Sequence, residues 1–371
     1  MNILFKHIAA IAIKEAKHIR RDIFTLSVAL VLPMIFVVSF GFVINLDYHH
    51  IPLLVRDNDQ SITSREIITQ AGASGYFDVI TVHTPMEAEH LLQKNSMRGL
   101  LVIPHGFHKA FTNANNAHAQ LMLDGTDNTM AALSVTYMQG IMQAARQSLS
   151  TENEPVLPVV RTRYMFNPEL NSRWFIVPAL STIITGFLAI ILTALTVAKE
   201  WENGSMELLL STPLRPTEIV AGKLLPYFAL SLFDALIIFA LALIVFRIPF
   251  RGSFMLYLIA CVLYITGALA LGLLISITTR RQQASILFGF AAGFLPSMIF
   301  SGFIFPIENM PVFFQYLTML FPQRWFLQIS RALFLGGSGL NELTGPFTAL
   351  FLFMVVMFIL SVKKFKTDVE P

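Results

Sequence analysis

A single cysteine, Cys261, stands in 371 residues, so no part of the chain can rely on an internal disulfide, and paired-thiol redox chemistry is excluded. Charge is equally scarce. Only 13% of residues are Asp, Glu, Lys or Arg, about half of the roughly 25% that a soluble domain carries. No Gly-x-x-x-x-Gly-Lys-Ser/Thr loop occurs anywhere, so this chain by itself cannot cradle a nucleotide phosphate. A net charge of +3 is too small to indicate a nucleic-acid partner. His83, His90, His105, His108 and His118 lack compact ligand spacing with a carboxylate or thiolate, and no metal is expected. No nucleophile-base or paired-carboxylate arrangement can be proposed from spacing, which leaves a catalytic reading without support. What is abundant is apolar: 55% of the residues are hydrophobic, with 33 Phe and 16 Met. A water-soluble chain of this length cannot hide that much apolar surface, because cores stop growing at about 250 to 300 residues. The bilayer is the expected solvent.

A spanning helix needs about 20 mainly apolar residues. Six stretches satisfy or approach this: Ile23 to Ile44, Phe175 to Val197, Leu224 to Phe246, Phe254 to Ile277, Ala284 to Phe305 and Pro346 to Val362. The segment Pro311 to Phe321 is too short to cross and is bounded by Pro306, Pro311 and Pro322, which predicts a re-entrant or interfacial piece within 306–345. The first span follows Lys14, Lys17, Arg20 and Arg21 like a secretory signal. Its apolar run is too long for one, however, and no small-residue cleavage site follows, so it is read as an uncleaved anchor. Lys and Arg near the span ends gather on one side: Lys6 to Arg21, then Lys199, Arg215 and Lys223, then Arg280 and Arg281, then Lys363, Lys364 and Lys366. By the positive-inside rule that side is cytoplasmic and holds both termini.

Residues 46–172 differ in composition, holding most of the histidines and half of the acids. Apolar runs at Ile51 to Val55, Phe77 to Val82, Gly99 to Ile103 and Ala119 to Leu123 alternate with helix-like stretches at Ser61 to Ala71, from Thr84 and Pro85, and at Thr126 to Ser148. The predicted fold is therefore an α-helical polytopic membrane protein with six transmembrane helices, and an α/β extracytoplasmic domain inserted between the first and second spans. Residues 1–22 are predicted to form an amphipathic interfacial helix, with Leu4, Ile8, Ile11 and Ile19 in one arc and the basic residues opposite. Ile3, Ile13 and Glu15 fall on the wrong faces. The first span covers 23–45, the remaining spans lie within 173–371, and a cytoplasmic loop occupies 198–223.

That loop is the most informative stretch. Lys199, Glu200 and Glu202 precede Gly204; Ser205 is placed to cap a short helix carrying Met206, Glu207, Leu208, Leu209 and Leu210, and Pro213 and Pro216 end it. Thr217 is placed to cap the helix entering the third span through Glu218, Gly222 and Lys223. A short helix with an apolar edge and acidic flanks suits either partner docking or an ordinary interfacial loop. Lys199, Glu200, Gly204, Ser205, Glu207, Leu209, Thr212, Pro213, Glu218, Ile219, Gly222 and Lys223 resemble the inner-loop motif of type-2 ABC-exporter permeases. Ser301 to Pro311, followed by Pro322 and Arg331, resembles a second block of that family after the fifth span. Asp57, Asp59, Ser61, Asp124, Gly125 and Thr126 are similar to landmarks of the subgroup with a large outer domain, which includes bacterial multidrug-type exporters.

The resemblance implies a permease subunit in the bacterial inner membrane that forms a homodimer or heterodimer, with ATP and Mg held by a separate ATP-binding subunit and no cofactor on this chain. Membrane lipid and a periplasmic adaptor protein are further implied partners. The coupling residues would be Lys199, Glu200, Glu202, Gly204, Glu207, Leu209 and Lys223, and charge reversal at Glu200 or Glu207 is expected to spare folding because exposed loop charges contribute little. Gly302, Pro306, Pro311 and Pro322 would form the outer gate. The cargo would be drugs or other amphipathic small molecules, with sodium or lipid export as alternatives. Asp234, the only acidic residue well inside a span, is expected to face a hydrogen-bonding neighbour such as Ser231 or Thr266, a dimer partner or a wet translocation cleft. One carboxylate is thin material for an ion-coupled carrier. A membrane-anchored sensor or scaffold without transport would leave the inner-loop motif unexplained.

Overall fold

The computed structural model describes residues 2–43, 50–93, 97–112, 117–124, 128–149 and 171–369. The chain divides into two compact units, Met1–Ile44 with Met165–Pro371, and Asn45–Tyr164. The helical unit opens with α1 (Asn2–Arg21) and α2 (Ile23–Val43).

The inserted unit then runs β1 (Ile51–Asp57), α3 (Ile62–Ala73), β2 (Phe77–Thr81), α4 (Pro85–Gln93), β3 (Gly99–Ile103), α5 (Phe107–Thr112), β4 (Gln120–Leu123) and α6 (Asn128–Leu149). The strand order is β2-β1-β3-β4. β1 is parallel to both neighbours, with Leu53 opposite Val79 and Gly99, while β4 is antiparallel to β3. Alternate residues of β1 serve opposite faces, as the two-residue period of a strand requires. Leu53 and Val55 join Ile67, Leu101, Phe107, Met130 and Met138 on one side; Leu54 joins Val82, Ala88, Leu100 and Val102 on the other. Sequence alternation missed only α5, a six-residue helix too short to display a period.

Two of the acidic landmarks, Asp57 and Asp59, act as backbone clasps in this unit, and the third forms an ion pair. Asp57 accepts from the Asp59 and Gln60 amides and from Ser64 Oγ, and Ser61 caps α3. Asp59 accepts from the Gly106 amide at 2.7 Å and the His108 amide at 2.9 Å, tying the end of β1 to the turn after β3. Asp124 pairs with Arg98 at 2.7 Å; Gly125 and Thr126 lie outside the described residues. Partial burial opposes ionisation of Asp59, but the hydrogen bonds from Ser61 and the amides of His108, Gly106 and Phe107 outweigh it and hold its pKa below the ordinary carboxylate value. A depressed folded-state pKa contributes stability that is present above the unfolded pKa and lost as pH falls through the folded one. Asp59→Ala should therefore speed hydrogen exchange at the Gly106 and His108 amides by about tenfold at neutral pH. In the parent chain the same protection should fade as pH drops below the ordinary carboxylate range.

The helical unit resumes with α7 (Ser172–Ala194), α8 (Thr196–Glu202), α9 (Ser205–Leu210), α10 (Pro216–Ile244), α11 (Phe254–Thr279), α12 (Gln282–Ile299), α13 (Val312–Thr318), α14 (Pro322–Arg331) and α15 (Leu340–Val369). Among the described residues four helical segments are long and apolar enough to cross a membrane: Ser172–Glu202, Pro216–Ile244, Phe254–Thr279 and Leu340–Phe365. α2 covers Ile23–Val43 of the first expected span without a charged residue, with Pro33 inside the helix. The fifth was expected to run to Phe305, but α12 ends at Ile299, and the chain turns at Gly302, whose φ of +82° favours a residue without Cβ. The sixth starts at Leu340, before Pro346.

α7 is the axis of this unit, packed by α2, α10, α11, α12 and α14. Close approach to α11 depends on small residues, the usual device where lipid offers no hydrophobic drive. A Cβ on Gly272 would run into the Ile190 carbonyl and Thr193 Oγ1. Thr193 Oγ1 donates to the Leu269 carbonyl at 2.9 Å, and Tyr264 donates to the Thr182 carbonyl at 2.9 Å.

Candidate coupling site

At the end of α7 the chain bends at Leu195 and continues as α8, whose first amides are met by another helix: Ser276 Oγ of α11 accepts from Val197 and Ala198 at 3.0 and 2.9 Å. Gly204, at φ +69°, reverses the chain into α9 and is itself the cap residue, so Ser205 begins the helix instead of capping it. Ser205 Oγ donates to the Glu200 carbonyl. α10 likewise starts before Thr217. Arg215 is the cap residue, Pro216 takes the first turn where its missing N–H is harmless, and Glu218 accepts from the Arg215 amide at 3.1 Å. His7 of α1 meets the same carboxylate at 3.1 Å.

Around this bend four charges alternate in sign. Lys223 Nζ lies 2.6 Å from Glu200 Oε2 and 3.0 Å from Glu15 Oε1, and Lys14 Nζ lies 2.7 Å from Glu200 Oε1. Lys223 is 1% exposed and Glu15 3%. On the apolar arc of α1, Ile11 and Ile19 are buried and Ile11 meets Gly222 of α10, while Leu4 stays exposed. Glu15, misplaced on an apolar arc, is the partner of Lys223. Burial alone would lower the pKa of Lys14; its hydrogen bond to Glu200 and the charges of Glu200 and Glu15 outweigh that and raise it.

The expectation that Glu200 is an exposed loop charge is corrected by this geometry. Its side chain is 12% exposed and bonded to two lysines, so reversing it would set a like charge against Lys14 and the buried Lys223 and would not spare folding. Lys199 approaches Asp22 at 3.7 Å. Glu202 accepts from the Gln282 amide at 2.8 Å and from the Gln282 side chain, which links α8 to the start of α12. Arg280 stacks on Trp201 at 4.6 Å. Met206 is buried and Leu209 packs on the core, which leaves Leu208, 73% exposed, and the exposed Glu207 as the outward edge of α9. A cavity of about 410 Å³ behind this bend is lined by Glu15, Asp22, Thr196, Glu200 and Tyr227 among others.

The remaining predicted residues lie elsewhere. Pro306 precedes a 3-10 turn at Ile307–Asn309, Pro311 precedes α13, and Pro322 opens α14. Asp234 is 3% exposed within α10. Among the described residues neither Asp234 Oδ1 nor Ser231 Oγ has a hydrogen-bond partner, so Ser231 is not the neighbour that satisfies it within the chain. Ser276 and Gln282 were not singled out by sequence, while Glu15 left a trace as a break in periodicity and Arg280 only as a basic residue near a span end.

Residues 23–363 match the family described as ABC-2 family transporter protein. The Escherichia coli (strain K12) protein named "Probable multidrug ABC transporter permease YbhS" is 34% identical over 90% of each chain. "Probable multidrug ABC transporter permease YbhR" of the same strain is 30% identical over 91% of this chain and 92% of its own. The "Inner membrane transport permease YhhJ" from that strain is 25% identical over 86% of each. With the predicted inner-loop motif folded into an ion-paired bend at one end of long apolar helices, these matches lead to one assignment: the chain belongs to the ABC-2 transporter family and is a membrane-embedded permease subunit of an ABC exporter.

Proposed function

We propose that the chain is one half of a dimeric exporter that crosses the membrane six times, with both termini cytoplasmic and residues 46–172 on the outer side, and that a separate ATP-binding subunit docks on α8 and α9. The four-charge cluster supports this reading. Lys14, Glu15, Glu200 and Lys223 fasten α1, the inner bend and α10 to one another, so a push on α9 reaches two further helices through short ion pairs instead of dissipating in a loose loop. Glu202 carries the same displacement to α12 through Gln282. Closure of the ATP-binding subunits around ATP and Mg would then rock this end of the bundle, and the turn from Gly302 through Pro306, Pro311 and Pro322 would yield at the outer end. Asp234 would border the path between protomers. Because the relatives YbhS and YbhR are named as multidrug permeases, the cargo class proposed is drugs or other amphipathic small molecules.

Glu207 supplies the clean test, because it is exposed on α9, where a charge contributes little to stability. In proteoliposomes containing the chain and its ATP-binding partner, Glu207→Lys should leave the melting temperature and ATP hydrolysis near the parent values and lower dye export about tenfold. Unchanged export, or ATP hydrolysis by the purified chain alone, would refute docking at this edge.

A further inference from the structure

Arg331 closes α14 in a setting unlike that of any other arginine of the helical unit among the described residues. Its guanidinium sits 3.9 Å from the centre of the Phe175 ring, and Nη1 donates to the Gly302 carbonyl at 3.2 Å. Nε and Nη2 are solvent-inaccessible and have no hydrogen-bond partner among the described residues, nor does any carboxylate there form an ion pair with the group. Arg324 on the same helix shows what a purely structural arginine looks like. Its Nη1 donates to the Gln315 carbonyl at 2.8 Å and to Thr318 Oγ1, and its guanidinium covers Trp325.

A cation over an aromatic face regains only a fraction of what an ion loses on leaving water, and a helix C-terminus adds little more. A buried charge left without a counter-ion is therefore a functional candidate. The unmet atoms also have a shape. Nε and Nη2 lie on one edge of the guanidinium and point the same way, the fork that fits two oxygens of a carboxylate or phosphate.

We propose that the Arg331 fork receives the carboxylate or phosphate head of an amphipathic anion in the membrane. In the present conformation Phe175 and the Gly302 turn cover the guanidinium, so an anion engages the fork when that turn shifts and thereby favours the shifted state. Arg331 is thus a specificity-determining residue for anionic amphipaths. Its use in export rests on the exporter reading above; its existence as a binding site does not.

The test is a binding measurement that needs neither ATP nor a partner subunit. The full chain in zwitterionic nanodiscs is titrated with tritiated dodecanoate by scintillation proximity, with empty nanodiscs as background. Saturable binding is expected, displaced by dodecyl phosphate and not by methyl dodecanoate or dodecylamine. Arg331→Gln should weaken it about tenfold or more, as loss of a bidentate charge-assisted pair implies. Arg331→Lys, which keeps the charge and loses the fork, should fall between and decides the matter should the Gln variant fail to fold. Competition by phosphatidylglycerol added to the nanodiscs identifies a lipid phosphate as the native source; absence of competition identifies a free amphipath. Absent saturable binding, equal displacement by methyl dodecanoate, or unchanged affinity in both variants overturns the proposal.

Discussion

Replacing Lys223 with Met should destabilise the helical unit by about 3 to 5 kcal/mol, the range for removing one partner from a buried ion pair. Lys223 is 1% exposed and bonded to Glu15 at 3.0 Å and Glu200 at 2.6 Å. Methionine fills the same volume, so the loss is electrostatic: Glu15 remains buried without its main cation, and Glu200 keeps only Lys14. Thermal unfolding of purified protein should show a large drop in melting temperature, with α1 the first segment to lose hydrogen-exchange protection. The triple change Glu15→Leu, Glu200→Gln and Lys223→Met removes all but one charge of the cluster, and should recover much of that stability while abolishing coupled export. If Lys223→Met alone melted like the parent, the cluster would not be the joint that holds α1 to α10. Recovered stability together with normal export in the triple variant would show that the cluster is structural and plays no part in transmission.

Gly272→Val should be comparably severe for a different reason. At this crossing α11 rests directly on the backbone of α7, and any Cβ meets the Ile190 carbonyl and Thr193 Oγ1. Neither can move cheaply, because one is helical backbone and the other donates to the Leu269 carbonyl. Overpacking of this kind costs about 1 to 3 kcal/mol, and occasionally more where backbone must shift. Gly272→Ala should give a smaller loss and Gly272→Val a larger one, read as melting temperature and as yield of protein extracted from membranes. Equal behaviour of Gly, Ala and Val at this position would mean that the two helices do not cross as closely as described.

The split between what was legible in the sequence and what was not follows from the range of the interactions involved. Membrane residence, the long apolar helices and the strand positions of the inserted unit depend on composition and short periods, which are local properties of the chain. The short helices around Gly204 and Pro216 were likewise readable, but their caps were placed one or two residues late, at Ser205 and Thr217 instead of Gly204 and Arg215, because neighbouring capping residues compete over a few positions. The permease family was legible through a spaced motif from Lys199 to Lys223, although a motif says only which residues recur and not where they point. Helix ends were less secure: α12 stops at Ile299 because the chain turns at Gly302, and hydropathy is blind to that turn.

The tertiary structure alone decided that Glu200 and Lys223 are inward and paired, not outward and waiting for a partner. Their contacts join residues separated by 23 positions, and the bond from Lys223 to Glu15 spans 208, distances over which no pattern in the chain carries information. Glu15 broke the amphipathic period of α1, and only packing against α10 turns that break into a counter-ion. Arg331 is the reverse case. The sequence contains acids enough to pair every arginine on paper, and only the arrangement of α14 over Phe175 and Gly302 leaves one fork unmet, because whether a charge is satisfied depends on what surrounds it in space.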